Sequence, residues 1–430
     1  MASKYPFKRD FYEDVVKSIQ KNGATFVLGP RRCGKTVCLT QVNDAYENAE
    51  YVDFKKLNTE QQGMEILSRI QKSIEDDEDK IYLLDEMTYA PLPEKYICKI
   101  AYLFTANDPH NTKVVFSGSQ SLALDKWGHI AFCGSAGFIR TDFLSYAEWL
   151  RYKNIEKPSE ENYERFLYET PEFYKIETME EYLQACLDET VISNSRTSNI
   201  IFGNDCFLLD VEVLLNVCYA TLFTLHKLDL NKRISESFDS RYHSLRDTDL
   251  RTVEQAFLFL KNCGLITVTP VVKDLENIPD ISRDFQLIIH GKKPDLNFKD
   301  DLFNNINMCI KYPAFYVAIL KDILKEQMPD HLPKGLLRSI VECHARGMLP
   351  QRWAAEYHAD NDNEIDYVNV IDNTAVEITV SNKPIKGTHF DCLPDGYKCC
   401  LLTKDRTDTI GNIQLIPYYD FINRGCQYVS

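Results

Sequence analysis

The segment VLGPRRCGKTVCLT, residues 27–40, places two glycines, a lysine and a threonine between two apolar stretches. Its spacing fits G-x-x-x-x-G-K-[ST], in which the backbone N–H groups of a glycine-rich loop bind the phosphates of a nucleotide. In such a loop the Lys35 ammonium reaches the β- and γ-phosphates, and the Thr36 hydroxyl binds Mg²⁺. The pattern predicts a nucleotide-binding loop made of Gly29, Pro30, Arg31, Arg32, Cys33, Gly34, Lys35, Thr36 and Val37.

The residues on either side of this loop have the order that phosphate binding requires. The apolar run ATFVL precedes the loop and a helix-forming pattern follows it, so the loop is expected to join a strand to a helix N-terminus. The positive end of the helix dipole then adds to the attraction for phosphate. A Gly-Lys-Thr turn that arose by chance would not account for this order.

A second apolar run ends in a pair of acids. In KIYLLDEMTY, Asp85 and Glu86 stand where a nucleotide-hydrolysing enzyme places a metal-binding carboxylate and a base. Asp85 is expected to hold a Mg²⁺-bound water, and Glu86 is expected to orient and polarise the attacking water. An acidic pair after a strand is otherwise often a helix cap or an exposed turn. The preceding phosphate loop favours the catalytic interpretation.

A third apolar run, KVVFSGSQS, ends in small polar residues. A side chain at the end of that strand, Ser119, is a candidate to sense the γ-phosphate between the two motifs described above. An ordinary strand-to-helix turn gives the same pattern, and the sequence leaves both interpretations open.

The composition is that of a soluble globular protein of two or three domains. The chain has 430 residues, of which 44% are hydrophobic and 26% charged. Its net charge of −15 creates no broad field that attracts nucleic acid, so contact with DNA needs a local basic patch. No apolar stretch is long enough for a membrane span, and the cysteines are scattered. We expect a cytoplasmic protein with no membrane partner.

The order of strand and helix patterns predicts an α/β fold for the first part of the chain. Four apolar runs, ATFVLG, AEYVDF, IYLLDE and KVVFSGS, alternate with helical stretches, as in a parallel sheet with helices on both faces. Residues 1–150 are therefore predicted to form a P-loop domain. Residues 151–275 are predicted to be helical and residues 280–430 to form a C-terminal α/β domain.

One stretch of the middle segment favours a winged helix. TDLRTVEQAFLFLKNCGLITVTP is predicted to form a capped helix, ended by Gly264, and then a strand. The polar face of this helix mixes charges of both signs, so a helix that packs domains together is an equal alternative to one that reads DNA. Further helices are predicted around residues 302–327 and 334–347.

A β-hairpin is predicted near the C-terminus. The runs EIDYVNVI and TAVEITV flank Asp372 and Asn373, which suit a two-residue turn. In that register Asp366 lies opposite Thr379, and the alternation of side chains places Glu377 on the same face.

Carboxylates on one face of a hairpin could hold a divalent cation. Asp366 and Glu377 are expected to be in diagonal contact, with Glu342 of the preceding helix as a third ligand for Mg²⁺. Acids that face solvent, on a domain without such activity, give the same pattern. The residues alone leave both interpretations open.

The whole arrangement resembles an AAA-type P-loop ATPase. More narrowly, it resembles the prokaryotic family in which that domain leads, through a helical, winged-helix-like segment, to a restriction-endonuclease-like domain. The segments that carry the resemblance are GPRRCGKT, YLLDE, VVFSGSQS, FLSYAEWL and EIDYV…VEITVSNK. The resemblance implies ATP and Mg²⁺ as cofactors, and the chain has no guanine-reading N-K-x-D segment.

The chain departs from this family at an arginine. The family has a Gly-Arg pair before the segment that FLSYAEWL matches, whereas this chain has Gly134 and Ser135, and Phe143 stands in place of the usual proline. Arg140 is the candidate to stabilise charge in the transition state in place of the missing arginine. Hydrolysis is accordingly expected to be slow or to need a residue from a partner.

A second departure concerns the nuclease-like site, which in this fold ends in Glu-x-Lys. Here Thr379 stands in the lysine position, and the nearest lysine is Lys383. A threonine hydroxyl carries no charge to activate water beside a metal, so feeble or absent DNA cleavage is expected.

The favoured interpretation is an ATP-hydrolysing molecular switch that controls its C-terminal domain. The alternatives are an ATP-regulated, metal-dependent DNA nuclease and a nucleotide-dependent scaffold that does not hydrolyse ATP. The expected partners are ATP, another protein or a second copy of the chain, and DNA bound through the middle or C-terminal domain.

Overall fold

The computed structural model describes residues 5–57, 59–90, 92–174, 178–196, 209–224, 248–278, 306–324, 331–359, 363–382 and 390–424. These residues form two compact units. The first unit takes in the described residues up to Leu144 and those of 184–196. The second takes in Ser145–Leu183 and the described residues from 209 onwards. The domain limits at residues 150 and 275–280 stay predictions.

The first unit is built on a parallel sheet, whose described strands have the order β2-β3-β4-β1-β5. Every residue of β1 and β3 is buried, because helices cover the sheet and these strands are mostly apolar. The four runs predicted as strands are confirmed, and a fifth strand follows them. The strands are β1 (Ala24–Leu28), β2 (Ala49–Asp53), β3 (Ile81–Asp85), β4 (Lys113–Ser117) and β5 (Gly137–Arg140).

Helices connect these strands and begin at recognisable signals. Gly34 precedes α2, Thr59 and Gln62 form a capping box at the start of α3, and Pro93 opens α4. Short 3₁₀ turns follow β2 and β3, over Phe54–Lys56 and Met87–Tyr89. The helices are α1 (Phe11–Lys21), α2 (Lys35–Ala45), α3 (Glu60–Glu75), α4 (Pro93–Ala106) and α5 (Ser121–Phe132).

Alternate residues of β1 face two separate cores. Phe26 stacks on Phe116 and Phe138 on one side, with ring centroids 4.6 and 5.1 Å apart. Val27 packs on the other side against α1 and α2 residues such as Val15. Burial on both faces fixes the register of the sheet, so the residues that follow β1, β3 and β4 meet at its carboxyl edge.

The second unit contains a mixed sheet, whose described strands have the order β12-β13-β11-β10-β9-β8-β6-β7. Strand β6, from the predicted middle domain, pairs antiparallel with β7 and parallel with β8. The winged-helix prediction for its surroundings stays a prediction. The strands are β6 (Ile266–Val272), β7 (Ile306–Ile310), β8 (Ala354–His358), β9 (Glu364–Asn369), β10 (Thr374–Ile378), β11 (Lys398–Thr403), β12 (Asp408–Ile410) and β13 (Ile413–Pro417).

The helices of the second unit include the predicted capped helix, α10. Asp249 accepts a hydrogen bond from the Thr252 N–H at its start, and Gly264, with φ +72°, follows its end. None of the described helices is long and apolar enough to cross a membrane. The helices are α6 (Tyr146–Tyr152), α7 (Glu160–Phe173), α8 (Met179–Arg196, which ends in the first unit), α9 (Val211–Thr224), α10 (Leu250–Asn262), α11 (Pro313–Leu324), α12 (Lys334–Met348) and α13 (Tyr418–Arg424).

The helix predicted over residues 302–327 is wrong in its first half. Residues 306–310 form strand β7, and the helix begins at Pro313. Proline suits the first turn of a helix and disfavours helical geometry in the residue before it. The boundary could therefore have been placed from the sequence.

Candidate nucleotide-binding site

Two glycines give the loop after β1 its shape. A Cβ atom on Gly29 would lie 2.5 Å from the Thr141 carbonyl oxygen, so only glycine lets these two backbones approach. Gly34 has φ +97°, a conformation that side chains rarely adopt, and stands at the N-cap of α2. The loop therefore turns tightly and delivers the chain into the N-terminus of a helix, which is the geometry of a phosphate-binding site.

Lys35 lies inside this loop. Its Nζ atom donates hydrogen bonds to the carbonyl oxygens of Gly29, at 2.8 Å, and Pro30, at 2.7 Å. It also lies 3.7 Å from Cys33 Sγ, and its side chain is buried. The ammonium group is thus positioned in the loop by two carbonyl oxygens of the loop itself, which take two of its three N–H donors.

Two residues that the sequence analysis did not single out hold the loop from outside. Arg9 donates to the Cys33 carbonyl oxygen, at 2.7 Å, and to the Asp142 carbonyl oxygen, at 2.9 Å. Because C=O and N–H point in opposite directions across a trans peptide, fixing the Cys33 carbonyl also fixes the Gly34 N–H. Ser121 Oγ lies 2.8 Å from the Gly29 nitrogen and 2.6 Å from its carbonyl oxygen.

The remaining predicted loop residues differ in exposure. Cys33 is buried, Arg32 is exposed with φ +64°, and Val37 is partly buried in the first turn of α2. Thr36 is exposed at the start of the same helix. Its hydroxyl is therefore accessible to an ion bound in front of the helix.

Asp85 ends β3 and is almost completely buried, with 2% of its surface exposed. Tyr51 of β2 donates a hydrogen bond to Asp85 Oδ2 at 2.8 Å. Burial raises the pKa of the Tyr51 hydroxyl, and the negative charge of Asp85 raises it further, so the hydroxyl remains a donor. The Asp85 carboxylate and the Thr36 hydroxyl are oxygen donors of the kind that Mg²⁺ prefers, so this donor set fits the ion.

Glu86 and Ser119 are joined by hydrogen bonds. The Ser119 N–H lies 3.1 Å from one carboxylate oxygen of Glu86, and the Ser119 hydroxyl lies 2.8 Å from both. Glu86 has φ +50°, a left-handed conformation that is uncommon outside glycine and clusters at functional sites. The structure therefore brings together the two side chains predicted to act on the attacking water and the γ-phosphate.

The backbone of Arg140 lies beside the start of the loop in the sheet, but its side chain pairs elsewhere. Its backbone is opposite Leu28 at the end of β5. Its guanidinium lies 2.8 and 3.0 Å from the two carboxylate oxygens of Asp125 on α5, and 66% of the side chain is exposed. A role for Arg140 in catalysis stays a prediction.

A helix far along the chain adds an acid to the loop. Glu189 of α8 forms an ion pair with Arg31 and accepts a hydrogen bond from the Tyr89 hydroxyl at 3.4 Å. The next residue, Thr190, accepts a hydrogen bond from Gln120. The sequence analysis assigned no role to these contacts, because nothing in the local pattern connects residue 189 with residue 31.

The C-terminal carboxylates come together in a register that differs from the predicted one. Asn369 pairs with Thr374, so residues 370–373 form a four-residue loop and Glu377 falls opposite Asp366. The Asn369 side-chain oxygen accepts hydrogen bonds from the backbone N–H groups of Ile371 and Asp372, at 3.0 and 3.2 Å. This asparagine turn stabilises the longer loop, and the predicted two-residue turn is wrong.

Arg346 occupies the centre of this carboxylate group. Its Nη2 atom lies 3.0 Å from Glu342, 2.8 Å from Glu356 and 3.4 Å from Asp366, and 2% of its side chain is exposed. Glu377 contacts the Asp366 N–H at 3.4 Å. Arg346 therefore supplies the buried positive charge that these acids share.

Burial, the neighbouring acids and Arg346 together determine the pKa values of these acids. Burial raises the pKa of Asp366 well above its ordinary value, and the neighbouring Glu377 raises it further. Burial also raises the pKa of Glu342, against the effect of Arg346. For Glu356 burial is outweighed by Arg346 and by hydrogen bonds from His358 and Asn307, which lower its pKa to about 2.

The predicted second metal site does not fit these observations. Within the described parts of the chain, no group of three or more histidine, cysteine, aspartate or glutamate side chains is arranged to hold a metal ion. A cation at the centre of Glu342, Asp366 and Glu377 would meet the guanidinium of Arg346. Thr379 lies beyond the end of β10 and donates to the Leu402 carbonyl oxygen, and Lys383 lies outside the described residues.

Comparison with known proteins supports the assignment of the first unit. The family model described as "AAA domain" matches residues 21–150, which is less than a third of the chain. That range contains the phosphate loop, the Asp85-Glu86 pair and Ser119. The parallel sheet, the loop geometry and this match define a P-loop domain of the AAA type.

Likeness to solved structures is weak. DnaA from Aquifex aeolicus, bound to AMPPCP, has 15% sequence identity, with 58% of this chain and 84% of that chain covered and a TM-score of 0.29. The Aeropyrum pernix ORC1 protein in complex with DNA has 11% identity, coverage of 73% and 91%, and a TM-score of 0.25. Such TM-scores carry no conclusion for either unit. No curated protein matches the chain.

Proposed function

We propose that the protein binds ATP with Mg²⁺ and hydrolyses it at the loop after β1. The observation that carries the proposal is the contact between Glu86 and Ser119 at the carboxyl edge of the sheet that bears the loop. A carboxylate placed there can accept a proton from water while its position is held by the serine. Lys35 then binds the β- and γ-phosphates, and Thr36 and Asp85 hold the ion.

The carboxylate of Glu86 has capacity left for a water molecule. An ionised carboxylate offers about four acceptor positions, and Ser119 supplies one N–H and one O–H. Water can therefore bind Glu86 without breaking either contact. Ser119 acts as a positioning residue, because it fixes the direction of the carboxylate rather than reacting itself.

We further propose that ATP hydrolysis works as a switch for the second unit, in which nucleotide state determines the activity of that unit. The described residues of the second unit form a mixed sheet with flanking helices and contain no fitting metal site. A metal-dependent nuclease is therefore the less favoured alternative, because Arg346 takes the position between the carboxylates. A scaffold that binds ATP without hydrolysis is the third possibility.

A turnover assay on the purified full chain separates these functions. Phosphate release from ATP is measured with Mg²⁺, with EDTA, and with single- or double-stranded DNA added. Mg²⁺-dependent release supports the ATPase, and tight ATP binding without release supports the scaffold. Stimulation by DNA would support the predicted DNA contact, and dependence of the rate on protein concentration would support a second copy or another oligomer. Cleavage of the added DNA would support the nuclease.

A further inference from the structure

Two adjacent residues of α8 contact three separate segments of the nucleotide site. Glu189 pairs with Arg31 of the phosphate loop and accepts from Tyr89, the last residue of the turn that follows Glu86. Thr190 accepts from Gln120, which follows Ser119. These residues lie outside the range that the AAA-domain model matches. One turn of α8 thus contacts the phosphate loop, the turn that follows Glu86 and the segment that follows Ser119.

Glu189 carries a negative charge, as do the phosphates of the expected ligand. Its side chain is only 5% exposed, and that of Arg31 is 21% exposed, so water screens the pair weakly. A carboxylate next to a phosphate loop repels an incoming polyphosphate and occupies a guanidinium that could bind it. In this structure the anionic partner of Arg31 is therefore the carboxylate of Glu189.

We propose that Glu189 competes with the phosphates of the bound nucleotide for Arg31, and so lowers the affinity of the site while coupling it to α8. This inference rests on the proposed function. When a phosphate takes Arg31, the Glu189 carboxylate loses its cation in a buried position, which is costly. Relief of that cost requires a movement of the α8 turn, and the movement alters the contacts at Tyr89 and Gln120.

Competition for Arg31 predicts that loss of the Glu189 charge tightens nucleotide binding, a result that damage to the fold cannot produce. Glu189→Gln keeps the shape of the side chain and its hydrogen-bonding capacity but removes the charge. We expect it to bind a fluorescent ATP analogue about tenfold more tightly than the unaltered chain, because removing a close, poorly screened charge changes a binding equilibrium by about this factor. Arg31→Gln is expected to bind the analogue more weakly.

Asp188→Asn is the matched control. Asp188 precedes Glu189 on the same helix, is exposed, and accepts a hydrogen bond from Gln184. This substitution removes the same charge from the same turn but leaves Arg31 paired, so the affinity is expected to stay unchanged. An equal gain in affinity in Asp188→Asn would mean that the net charge near the site, and not the pairing with Arg31, determines the affinity. That result would overturn the proposed competition.

The outcomes separate the inference from the proposed function. If the unaltered chain binds no ATP analogue at all, the proposed function fails and the inference fails with it. If it binds, but Glu189→Gln binds with equal or lower affinity while its thermal unfolding is unchanged, only the inference fails. If Glu189→Gln unfolds, Glu189→Asp, which withdraws the carboxylate by one methylene group, is measured instead, and tighter binding is again required.

Discussion

Glu86 and Ser119 are joined by hydrogen bonds from both the backbone N–H and the hydroxyl of the serine to the carboxylate of the glutamate. The two residues follow neighbouring strands of a parallel sheet, β3 and β4, so their contact links the ends of those strands. The carboxylate of Glu86, the proposed base, therefore has a defined direction before any substrate arrives. Catalysis depends on such preorganisation of groups around the reacting atoms.

Glu86→Gln is expected to retain ATP binding and to lose hydrolysis by about a hundredfold or more, the scale on which general bases contribute. Glutamine keeps the size of the side chain and can still accept from Ser119, but it cannot take a proton from water. Single-turnover phosphate release measures the loss, and calorimetry measures the binding. A variant that hydrolyses ATP at the unaltered rate would place the base elsewhere.

Lys35→Ala is expected to weaken ATP binding roughly 10- to 100-fold, because it removes a charge-assisted contact to the phosphates. It also removes the hydrogen bonds to Gly29 and Pro30, so the fold is checked by circular dichroism. Lys17→Ala is the control, since Lys17 is a highly exposed lysine on α1. Equal affinity for ATP in Lys35→Ala and Lys17→Ala would remove the assignment of the phosphate loop.

Arg346→Met is expected to destabilise the second unit by about 3–5 kcal/mol, because removal of one partner leaves buried acids without compensation. Asp366→Asn should not share this effect. Its charge is already disfavoured by burial, and an amide oxygen can still accept from the Ile378 N–H, now 2.7 Å from the carboxylate. Urea unfolding measures both variants, with Arg338→Met on the exposed side of α12 as control. Similar losses in Arg346→Met and Arg338→Met would argue against a central role for Arg346.

DNA cleavage is expected to be feeble or absent with Mg²⁺ or Mn²⁺. Arg346 supplies the cation to the acids, and Thr379 supplies no charge to activate water. A plasmid-nicking assay on the purified chain, with Asp366→Asn and Glu377→Gln beside it, tests this expectation. Robust cleavage that either substitution abolishes would instead favour the nuclease.

The stability of the second unit is expected to fall as the pH drops below about 6.5, the ordinary pKa of a histidine. Burial lowers the pKa of His344 to about 3 in the folded chain, where its ring contacts the Tyr163 hydroxyl at 2.9 Å. Between these two values the unfolded chain binds a proton at His344 and the folded chain does not. Unfolding therefore becomes easier by up to about 1.4 kcal/mol for each pH unit.

His344→Gln isolates this contribution, because glutamine does not titrate and can still bond to Tyr163. Urea unfolding is measured for both proteins at pH 7.0, 6.0 and 5.0. The difference in unfolding free energy between them is expected to change in favour of His344→Gln as the pH falls. A difference that is constant with pH would show that His344 does not titrate in this way.

The first unit could be predicted well because its signals are local. A parallel sheet with both faces covered gives continuous apolar strands, and the phosphate loop depends on residues that are adjacent in the sequence. The same holds for Asp85, which ends a recognisable strand, and for Glu86, which directly follows it. Their contacts with Tyr51 and Ser119 follow from the order of neighbouring strands, which the sequence indicated only in part.

The errors arose where a contact depends on distant residues or on one side chain. The hairpin register was displaced because the Asn369 side chain, rather than the Asp372-Asn373 pair, determines the loop. The carboxylates were correctly predicted to lie near one another, but the role of Arg346 was missed. It follows Glu342 by one turn of α12, and its contacts with Glu356 and Asp366 form only in the folded chain. Glu189 illustrates the limit, since only the folded chain brings it to Arg31.

The hydrogen bonds from Lys35 to two carbonyl oxygens of its own loop have a consequence for selectivity among anions. Two of the three N–H donors of the ammonium are committed to these carbonyl groups, so a lone phosphate or sulfate ion gains only the third donor unless it displaces a carbonyl group. A nucleotide brings several linked phosphates, which also engage the loop N–H groups and the end of the helix. The loop is therefore expected to favour a ligand that binds in several places at once, because such a ligand gains more than a small anion does from the single remaining donor of the ammonium.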